Sequence, residues 1–331
     1  MAADSTTVRF GVLGAAGIAR KSVLPAIEAS DHAVVAIASR SDRRAEAVAA
    51  DHSIPRAYGS YERLLGDENV DAVYIPLPNA LHAEWIERAA DAGKDVLCEK
   101  PLTVDTAEAR AVTEHCDERN VTLMEGYMYR YHPRTERAID LVRTELADLR
   151  SVTATFRFPL YGRPDDIRLD PELAGGSLMD VGCYPVSVSR TLLGTPDRAY
   201  AHAHASRDAG VDTEFAGLLE YDDGAVARVA SGFDTRTIQR YRVEATNGWI
   251  EVEEAFDCPA DESLSLAYEI DDRRGVETFD PVDQYRMEVE HFAECVATGE
   301  NPRTDGREAI ENMRVIDALS ESAEVEAPVE L

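Results

Sequence analysis

Residues 8–19 read Val-Arg-Phe-Gly-Val-Leu-Gly-Ala-Ala-Gly-Ile-Ala, and this stretch decides the fold of the N-terminal half. Its apolar first part predicts a buried strand that ends at Gly14. A dinucleotide-binding turn needs one glycine for the tight turn and two further small residues, where the pyrophosphate approaches and where the helix packs. Gly14, Ala16 and Ala19 occupy those places, and Gly17 is expected to supply the freedom that Ala16 lacks. The stretch predicts a strand, a turn and a helix that binds phosphates at its N-terminus.

Outward from this turn, apolar strands alternate with helices. The predicted strands are 8–13, 34–38, 70–75, 95–98 and 121–125, and the predicted helices are 18–30, 42–51, 81–92 and 106–119. Such alternation implies right-handed crossovers and a parallel sheet. We therefore predict a Rossmann dinucleotide-binding domain over residues 1–124.

After about residue 150 the pattern changes to consecutive strands. They are predicted at 151–158, 214–221, 225–233, 241–246 and 249–252, with late helices at 284–298 and 306–321 and a frayed acidic end at 321–331. Asp222-Asp223-Gly224 and Asn247-Gly248 are typical of tight hairpins between strands. The fold class is therefore α/β, with a C-terminal α+β domain over residues 125–331 whose large sheet is mainly antiparallel.

The charge of the chain is strongly negative. There are 63 acidic and 34 basic residues, a net charge of −29, and only Lys21, Lys94 and Lys100 are lysines. Such a field repels nucleic acid and anionic membranes, so neither is expected as a partner. Molar salt shortens the screening length to about 3 Å, which relieves repulsion between surface acids. The surface therefore favours a halophilic source over an acidic protein of an ordinary cytosol.

Other features narrow the class of protein. Five cysteines stand at scattered positions without a C-x-x-C spacing, so we expect neither a disulfide framework nor a metal site. No apolar run approaches the roughly 20 residues of a membrane span. The first seven residues lack a basic region and an apolar core, which predicts no signal peptide and a cytoplasmic location.

The end of the second strand indicates the cofactor. An NAD enzyme places an acid there to hold the ribose 2′-hydroxyl, but Asp42 comes slightly too late. Ser39 and Arg40, with Arg43 and Arg44 just beyond, suit the 2′-phosphate instead. NADP is therefore the expected cofactor, with NAD at lower preference.

Two further motifs follow strand ends, where an open α/β sheet binds its ligand. They are Pro76-Leu77-Pro78-Asn79, with His82 beyond, and Glu99-Lys100-Pro101. The predicted cofactor contacts are Gly14, Ala15, Ala16, Gly17, Ile18, Ser39, Arg40, Arg44, Pro76, Leu77, Asn79, His82, Glu99 and Lys100. In the second half, Gly175-Gly176 precedes Asp180 and Tyr184, which share one face if that segment is helical.

Together these motifs resemble the Gfo/Idh/MocA family (glucose–fructose oxidoreductase and inositol dehydrogenase) over nearly the whole chain. Also matching are residues 125–133, Glu-Gly-Tyr-Met-Tyr-Arg-Tyr-His-Pro. Many members carry a histidine at the position of Tyr184 and an acid at that of Ser187. The tyrosine version, with Ile167-Arg168 upstream, is similar to the branch of aldose dehydrogenases, glucose–fructose oxidoreductase and dihydrodiol dehydrogenase.

The resemblance implies a nicotinamide-dependent oxidoreductase acting on a CH–OH group. The leading hypothesis is an NADP-dependent aldose 1-dehydrogenase that forms a lactone, with D-xylose the first candidate sugar and glucose the second. A trans-dihydrodiol dehydrogenase is the alternative enzyme, and a catalytically silent sugar- or cofactor-sensing regulator is the alternative of another class. A homodimer or homotetramer is expected.

The predicted catalytic residues are Lys100, Tyr184 and Asp180, and the predicted substrate contacts are these three with Tyr127 and Arg168. Tyr184 is the candidate base, although an ordinary phenol has a pKa near 10. A cation such as Lys100 beside its oxygen would favour phenolate. The reverse assignment, with Lys100 as base and Tyr184 as donor, stays open.

Overall fold

The computed structural model describes residues 7–331. The prediction that no signal peptide is present depends on the first seven residues, and these lie mostly outside the described part. The chain divides into two compact units. One contains the described residues up to Thr103, Ala107–Tyr127 and Tyr285–Ile310, and the other contains Val104–Thr106, Met128–Gln284 and Glu311–Leu331. The predicted domain boundary between residues 124 and 125 stays a prediction, and each unit is described by its own limits.

The helices and strands have the following bounds. The described α-helices are α1 Leu24–Glu28, α2 Asp42–Asp51, α3 Tyr61–Leu65, α4 His82–Asp91, α5 Thr106–Arg119, α6 Pro133–Thr144, α7 Cys183–Leu193, α8 Gln284–Thr298 and α9 Gly306–Val325. The described strands are β1 Arg9–Leu13, β2 Ala33–Ala38, β3 Ala57–Tyr58, β4 Ala72–Ile75, β5 Asp95–Glu99, β6 Leu123–Gly126, β7 Leu149–Arg157, β8 Arg198–His204, β9 Glu214–Glu220, β10 Val226–Gly232, β11 Ile238–Ala245, β12 Gly248–Glu253, β13 Leu264–Ile270, β14 Arg273–Phe279 and β15 Val329–Glu330. Over residues 7–331, no helix is both long and apolar enough to cross a membrane.

The first unit contains a six-stranded sheet in the order β3-β2-β1-β4-β5-β6. All its strand pairs are parallel, which confirms the predicted Rossmann sheet. The strands are apolar because helices cover both faces of such a sheet, and β4 is buried throughout. The strand order reverses between β1 and β4, so the carboxyl ends there form the crevice in which open α/β sheets bind ligands.

A late segment of the chain belongs to the first unit. Phe292 of α8 packs on Phe10 of β1, with ring centroids 5.9 Å apart. Met124 and Asp305 form an isolated antiparallel bridge. Helical periodicity predicts α8 itself, but nothing local in its sequence indicates that it packs on the parallel sheet.

The second unit contains a nine-stranded sheet in the order β14-β13-β12-β11-β7-β10-β9-β8-β15. Only β7 and β10 pair in parallel, so the prediction of a mainly antiparallel sheet is confirmed. The Asp222–Gly224 turn joins β9 to β10, and Asn247-Gly248 joins β11 to β12, as the turn residues predict.

Several short or polar elements were not predicted from the sequence. They are α3, α6, β3, β8, β13 and β14. The prediction of a frayed acidic end is wrong, because α9 continues to Val325 and β15 pairs with β8. The partner is a distant edge strand, so local composition does not reveal this pairing.

Candidate active site

At Gly14 the glycine turn has the backbone conformation that a tight turn requires. Gly14 has φ of +132°, and a Cβ there would lie 3.1 Å from Leu77 Cδ2. Its N–H donates to Ala38 O at 2.9 Å, which ties the turn to β2. Gly17 is exposed, has no positive φ and would accommodate a Cβ without contact within 4 Å, and its expected role beside Ala16 stays a prediction. Ala15 is buried, while Ala16 and Ile18 are half-buried.

The end of β2 presents two guanidinium groups near the glycine turn. Arg40 and Arg44 are exposed, and Arg44 donates to Ala15 O at 3.4 Å. Burial raises the pKa of Tyr61, and the nearby charges of Arg40 and Arg44 act against that rise. Ser39 is buried, with 3% of its surface exposed. This concentration of positive charge in an acidic chain suits a phosphate.

Asp42 does not take the place of the acid that holds a ribose 2′-hydroxyl. Its carboxylate lies beside Gly59, where an added Cβ would come within 2.5 Å of Oδ1. Arg63 lies 3.6 Å from the same oxygen. The geometry at the end of β2 therefore fits a 2′-phosphate better than a 2′-hydroxyl.

The segment after β4 is held by His82. Pro76 is buried, Leu77 and Asn79 are half-buried, and Asn79 begins a 3-10 turn that leads into α4. His82 is completely buried, and its Nε2 and Nδ1 each lie 2.9 Å from a carbonyl oxygen, of Leu77 and Pro101 respectively. Burial lowers the pKa of this imidazole. Its predicted contact with the cofactor stays a prediction.

The segment after β5 carries the lysine. Glu99 and Lys100 are half-buried, and the Lys100–Pro101 peptide bond is cis. The Tyr74 hydroxyl donates to Glu99 Oε1 at 2.6 Å. Burial and, after it, the Glu99 carboxylate raise the pKa of Tyr74 well above its usual value. Tyr74 therefore remains a hydrogen-bond donor to Glu99 throughout the physiological pH range.

Tyr127, a predicted substrate contact, follows β6 and is completely buried. Two positions before it, Glu125 is 1% exposed and accepts a hydrogen bond from the Leu102 N–H at 2.7 Å. Tyr127 stays a predicted substrate contact, whereas the structure gives Glu125 a defined partner.

In the second unit, the glycine pair allows two close approaches. A Cβ on Gly175 would lie 2.5 Å from Arg168 O, and one on Gly176 (φ +113°) would lie 2.3 Å from Asp212 Oδ1. Asp212 accepts from Ser177 Oγ at 2.6 Å and from the Leu178 N–H at 2.9 Å. This carboxylate caps the helical segment that carries Asp180, and sequence reasoning missed it because it is distant in the chain.

Asp180 lies in a π-helical segment, Leu178–Gly182, that runs directly into α7. Single π-turns are frequent at functional sites. Asp180 Oδ2 accepts from Arg168 Nε at 2.8 Å, and Asp166 lies 3.1 Å from the same guanidinium. The charge of Asp180, and after it that of Asp166, raises the pKa of Arg168. The structure thus brings two predicted substrate contacts together as an ion pair.

Tyr184 is the second residue of α7 and is 3% exposed. Its hydroxyl donates to Met128 Sδ at 3.4 Å. The ring packs on Tyr129, Phe156 and Phe256, with centroid distances of 5.2–5.8 Å. Ser187, where many family members have an acid, is bonded to the Tyr129 hydroxyl at 2.9 Å. The phenol therefore has a mostly apolar setting.

Metal ligation finds no support in the described residues. No group of three or more His, Cys, Asp or Glu side chains in residues 7–331 could hold a metal ion. The five cysteines are buried thiols. Burial raises the pKa of Cys258 to about 11 and that of Cys116 to about 12, so both stay protonated at neutral pH.

Comparisons with known proteins cover both units. A family model described as "Oxidoreductase family, NAD-binding Rossmann fold" matches residues 8–127, and one described as "GFO/IDH/MocA C-terminal domain" matches residues 137–251. D-xylose 1-dehydrogenase (NADP(+)) 2 of Haloferax volcanii is 57% identical over 322 residues, covering 97% of this chain and 99% of the relative.

Two solved structures are similar over nearly their full length. A 3-ketoreductase from Actinomadura kijaniata, in complex with NADP and TDP-benzene, has a TM-score of 0.90 at 33% identity, covering 96% of this chain and 98% of that one. An aldose-aldose oxidoreductase from Caulobacter crescentus, complexed with glycerol, has a TM-score of 0.91 at 29% identity, covering 98% of this chain and 100% of that one.

Proposed function

This chain belongs to the GFO/IDH/MocA oxidoreductase family, and within that family we propose that it is an NADP-dependent aldose 1-dehydrogenase with D-xylose as substrate. The observation that carries the proposal is the identity of 57% with a D-xylose 1-dehydrogenase (NADP(+)) along almost the entire chain. The reaction removes a hydride from C1 of the sugar and a proton from its hydroxyl, and it leaves the lactone.

The residues at the carboxyl edge of the first sheet fit NADP. Gly14 has a positive φ, and a Cβ there would press on Leu77, so this position of the predicted phosphate-binding turn requires glycine. Arg40 and Arg44 would hold the 2′-phosphate, with Ser39 behind them, and Glu99 and Asn79 would contact the nicotinamide ribose region. When bound, NADP supplies the hydride acceptor. The protein's task is then to orient the sugar and take up the proton.

We assign the proton to Tyr184 and Lys100, the order of transfer being open. An ordinary phenol has a pKa near 10, so it needs a nearby cation to act as a base at neutral pH. Lys100 supplies that cation in this proposal, or it accepts the proton itself while Tyr184 donates to the substrate oxygen. Asp180 forms an ion pair with Arg168, so its negative charge disfavours a Tyr184 phenolate less than an unpaired carboxylate would. The Arg168–Asp180 pair would donate to and accept from the sugar hydroxyls.

The assay that tests the proposal follows the absorbance of reduced nicotinamide in molar KCl. D-xylose, D-glucose, other aldoses and a trans-dihydrodiol are each offered with NADP and with NAD. We expect the highest kcat/KM with D-xylose and NADP, and lactone as the product by NMR. Turnover of the dihydrodiol alone would replace the aldose assignment. Binding of NADP without turnover of any substrate would favour a regulator instead.

We also propose that the enzyme is a halophilic, cytoplasmic homodimer or homotetramer. One face of the nine-stranded sheet carries exposed apolar side chains on widely separated strands, namely Tyr200, Ile238 and Val276. Arg242 on the same face stacks over Trp249, with Cζ 4.1 Å from the ring centroid. A second copy that covers this face would bury them. Light scattering should then give a molar mass that is a multiple of the 36.4 kDa chain mass. The substitution Tyr200→Glu should lower the measured molar mass.

A further inference from the structure

The peptide group joining Pro101 to Leu102 directly follows Lys100 and is buried. Pro101 lies in the interior, and Leu102 has no exposed surface. A buried peptide group needs hydrogen-bond partners for both its C=O and its N–H. Here neither partner is a backbone group of a neighbouring strand. Both come from side chains, and those side chains belong to two different elements.

The carbonyl of this peptide is bound by His82. The imidazole Nδ1 lies 2.9 Å from Pro101 O, and Nε2 lies 2.9 Å from Leu77 O. His82 is the first residue of α4 and is fully buried, so the ring has little freedom to move. A neutral imidazole carries one N–H, so it donates to one of these two carbonyls. In the Nδ1–H tautomer that acceptor is Pro101 O, and the hydrogen bond ties the segment that follows β5 to the start of α4.

The N–H of the same peptide is bound by Glu125. Its Oε1 accepts from Leu102 N at 2.7 Å, a short hydrogen bond. The backbone of Glu125 is itself fixed, because its N–H donates to Thr304 O at 2.8 Å and its carbonyl accepts from Thr304 Oγ1 at 2.7 Å. The carboxylate therefore extends from a rigid point on β6.

We propose that His82 and Glu125 are positioning residues for Lys100, because they fix both polar atoms of the Pro101–Leu102 peptide and so the backbone from which the lysine extends. The inference rests on the catalytic role of Lys100 in the proposed function. A lysine ammonium can reach only the region within the length of its four-carbon stem from Cα, so fixing the backbone narrows the positions that it can take. A misplacement of about 1 Å can cost 10²-fold in rate.

Two substitutions at Glu125 separate geometry from charge. Glu125→Gln keeps an oxygen acceptor at the same reach and removes the charge, and we expect kcat within about threefold of wild type. Glu125→Asp keeps the charge but withdraws the acceptor, and we expect kcat to fall roughly 10–100-fold with the Kd for NADPH little changed. His82→Phe, which keeps a ring without nitrogen, should resemble Glu125→Asp, whereas His82→Gln restores one donor and should lose less.

The matched control is Thr113→Val, which removes a buried hydrogen bond to Ala109 O within α5 of the same unit. We expect it to lower the melting temperature without lowering kcat. If Glu125→Gln loses as much rate as Glu125→Asp, the carboxylate acts through its charge and the proposal is wrong. If the two Glu125 variants do not fold, the comparison of His82→Phe with His82→Gln tests the positioning role in the same way.

A second readout does not depend on turnover. The chain has only Lys21, Lys94 and Lys100, so acylation by trace acetic anhydride can be followed by mass spectrometry at each lysine. Lys21 is exposed and serves as internal standard, while Lys94 is bound to Val70 O at 2.7 Å and should react slowly. Glu125→Asp should change the rate at Lys100 relative to Lys21 by about threefold or more.

An unchanged rate at Lys100 in both Glu125→Asp and His82→Phe would overturn the positioning role. If Lys100→Met keeps full activity, the catalytic assignment fails instead. The labelling result still stands in that case, so the two failures are distinguishable.

Discussion

Lys100 and Tyr184 are the residues on which the proposed chemistry depends. We expect Lys100→Met and Tyr184→Phe each to lower kcat by roughly 10²–10⁴, the usual contribution of a general acid–base group. NADPH affinity, measured by fluorescence titration, should change little for Tyr184→Phe, which lies outside the glycine turn and the β2 end. Lys21→Met is the matched control, because Lys21 is exposed and has no assigned role. Rates near wild type in both variants would place the active site elsewhere.

Arg40 determines the cofactor preference in our proposal. Replacement by Asp puts a carboxylate where the 2′-phosphate would lie, which repels the phosphate and can accept from a 2′-hydroxyl. We expect the ratio of kcat/KM for NADP over NAD to fall by about tenfold or more, since a hydrogen bond to a charged group contributes about 1.5–3 kcal/mol. Arg110→Asp, at an exposed position of α5, is the control. An unchanged ratio in Arg40→Asp would mean that this guanidinium faces solvent in the complex.

At the scale of elements, α6 begins with a histidine cap. His132 is 1% exposed, and its Nδ1 accepts from the Arg134 N–H at 3.0 Å. Accepting requires a neutral ring. Burial, and after it the charge of Arg134, lowers the pKa of His132 to about 4. The unfolded value is about 6.5, so the contribution of this group to stability is complete above that pH and is lost as the pH falls toward the folded value.

His132→Asn should therefore flatten the pH dependence of stability. Asparagine is a good N-cap and does not titrate between pH 7 and pH 4. The wild type should lose up to about 3 kcal/mol more than the variant across this range. Urea unfolding at fixed high salt measures the difference, and carboxylates titrating in both proteins cancel. Parallel curves for the two proteins would contradict the cap assignment.

The helical segment that carries Asp180 and Tyr184 changes its period near its start. In a regular α-helix, residues four apart share a face, which was the basis of the sequence prediction. The observed segment is π-helical through Gly182 and α-helical from Cys183, so the two side chains flank a change of helical period. The Asp212 carboxylate that caps this segment comes from a distant loop, and burial raises its pKa. Local sequence could not predict either feature.

For the whole molecule, the decisive quantity is the net charge of −29. Arginine pairs exist, such as Arg9–Asp71 and Arg137–Glu277, but acids outnumber bases by almost two to one. We expect molar KCl to raise both kcat and the melting temperature. The screening length falls from about 10 Å at 0.1 M to 3 Å at 1 M, so repulsion between surface acids becomes weaker. Dialysis into dilute buffer should dissociate or unfold the protein.

The salt experiment needs a neutral osmolyte as its control. Excluded cosolutes stabilise folds without relieving charge repulsion, so sucrose at matched osmolality separates the two effects. Stabilisation by KCl well beyond that by sucrose is the expected result. Full activity and an unchanged melting temperature at low salt would remove the halophilic interpretation.

The amino-acid sequence by itself determined the elements whose signal is local. The apolar run before Gly14, the alternation of strands and helices, and the turns at Asp222–Gly224 and Asn247-Gly248 each depend on neighbouring residues, and each was predicted correctly. The sequence also predicted that the motifs at the strand ends lie along one edge of the sheet, because parallel strands bring their carboxyl ends to the same edge. The family and the dependence on a nicotinamide cofactor followed from these motifs.

Only the tertiary structure decided the contacts between residues far apart in the chain. Phe292 packs on β1, β15 pairs with β8, and Asp212 caps the segment of Asp180. The Pro101–Leu102 peptide likewise takes its partners from His82 and Glu125, 19 and 23 positions away. Such contacts are set by how elements pack to bury apolar surface and satisfy buried polar groups. That is a property of the assembled chain, and no local pattern encodes it.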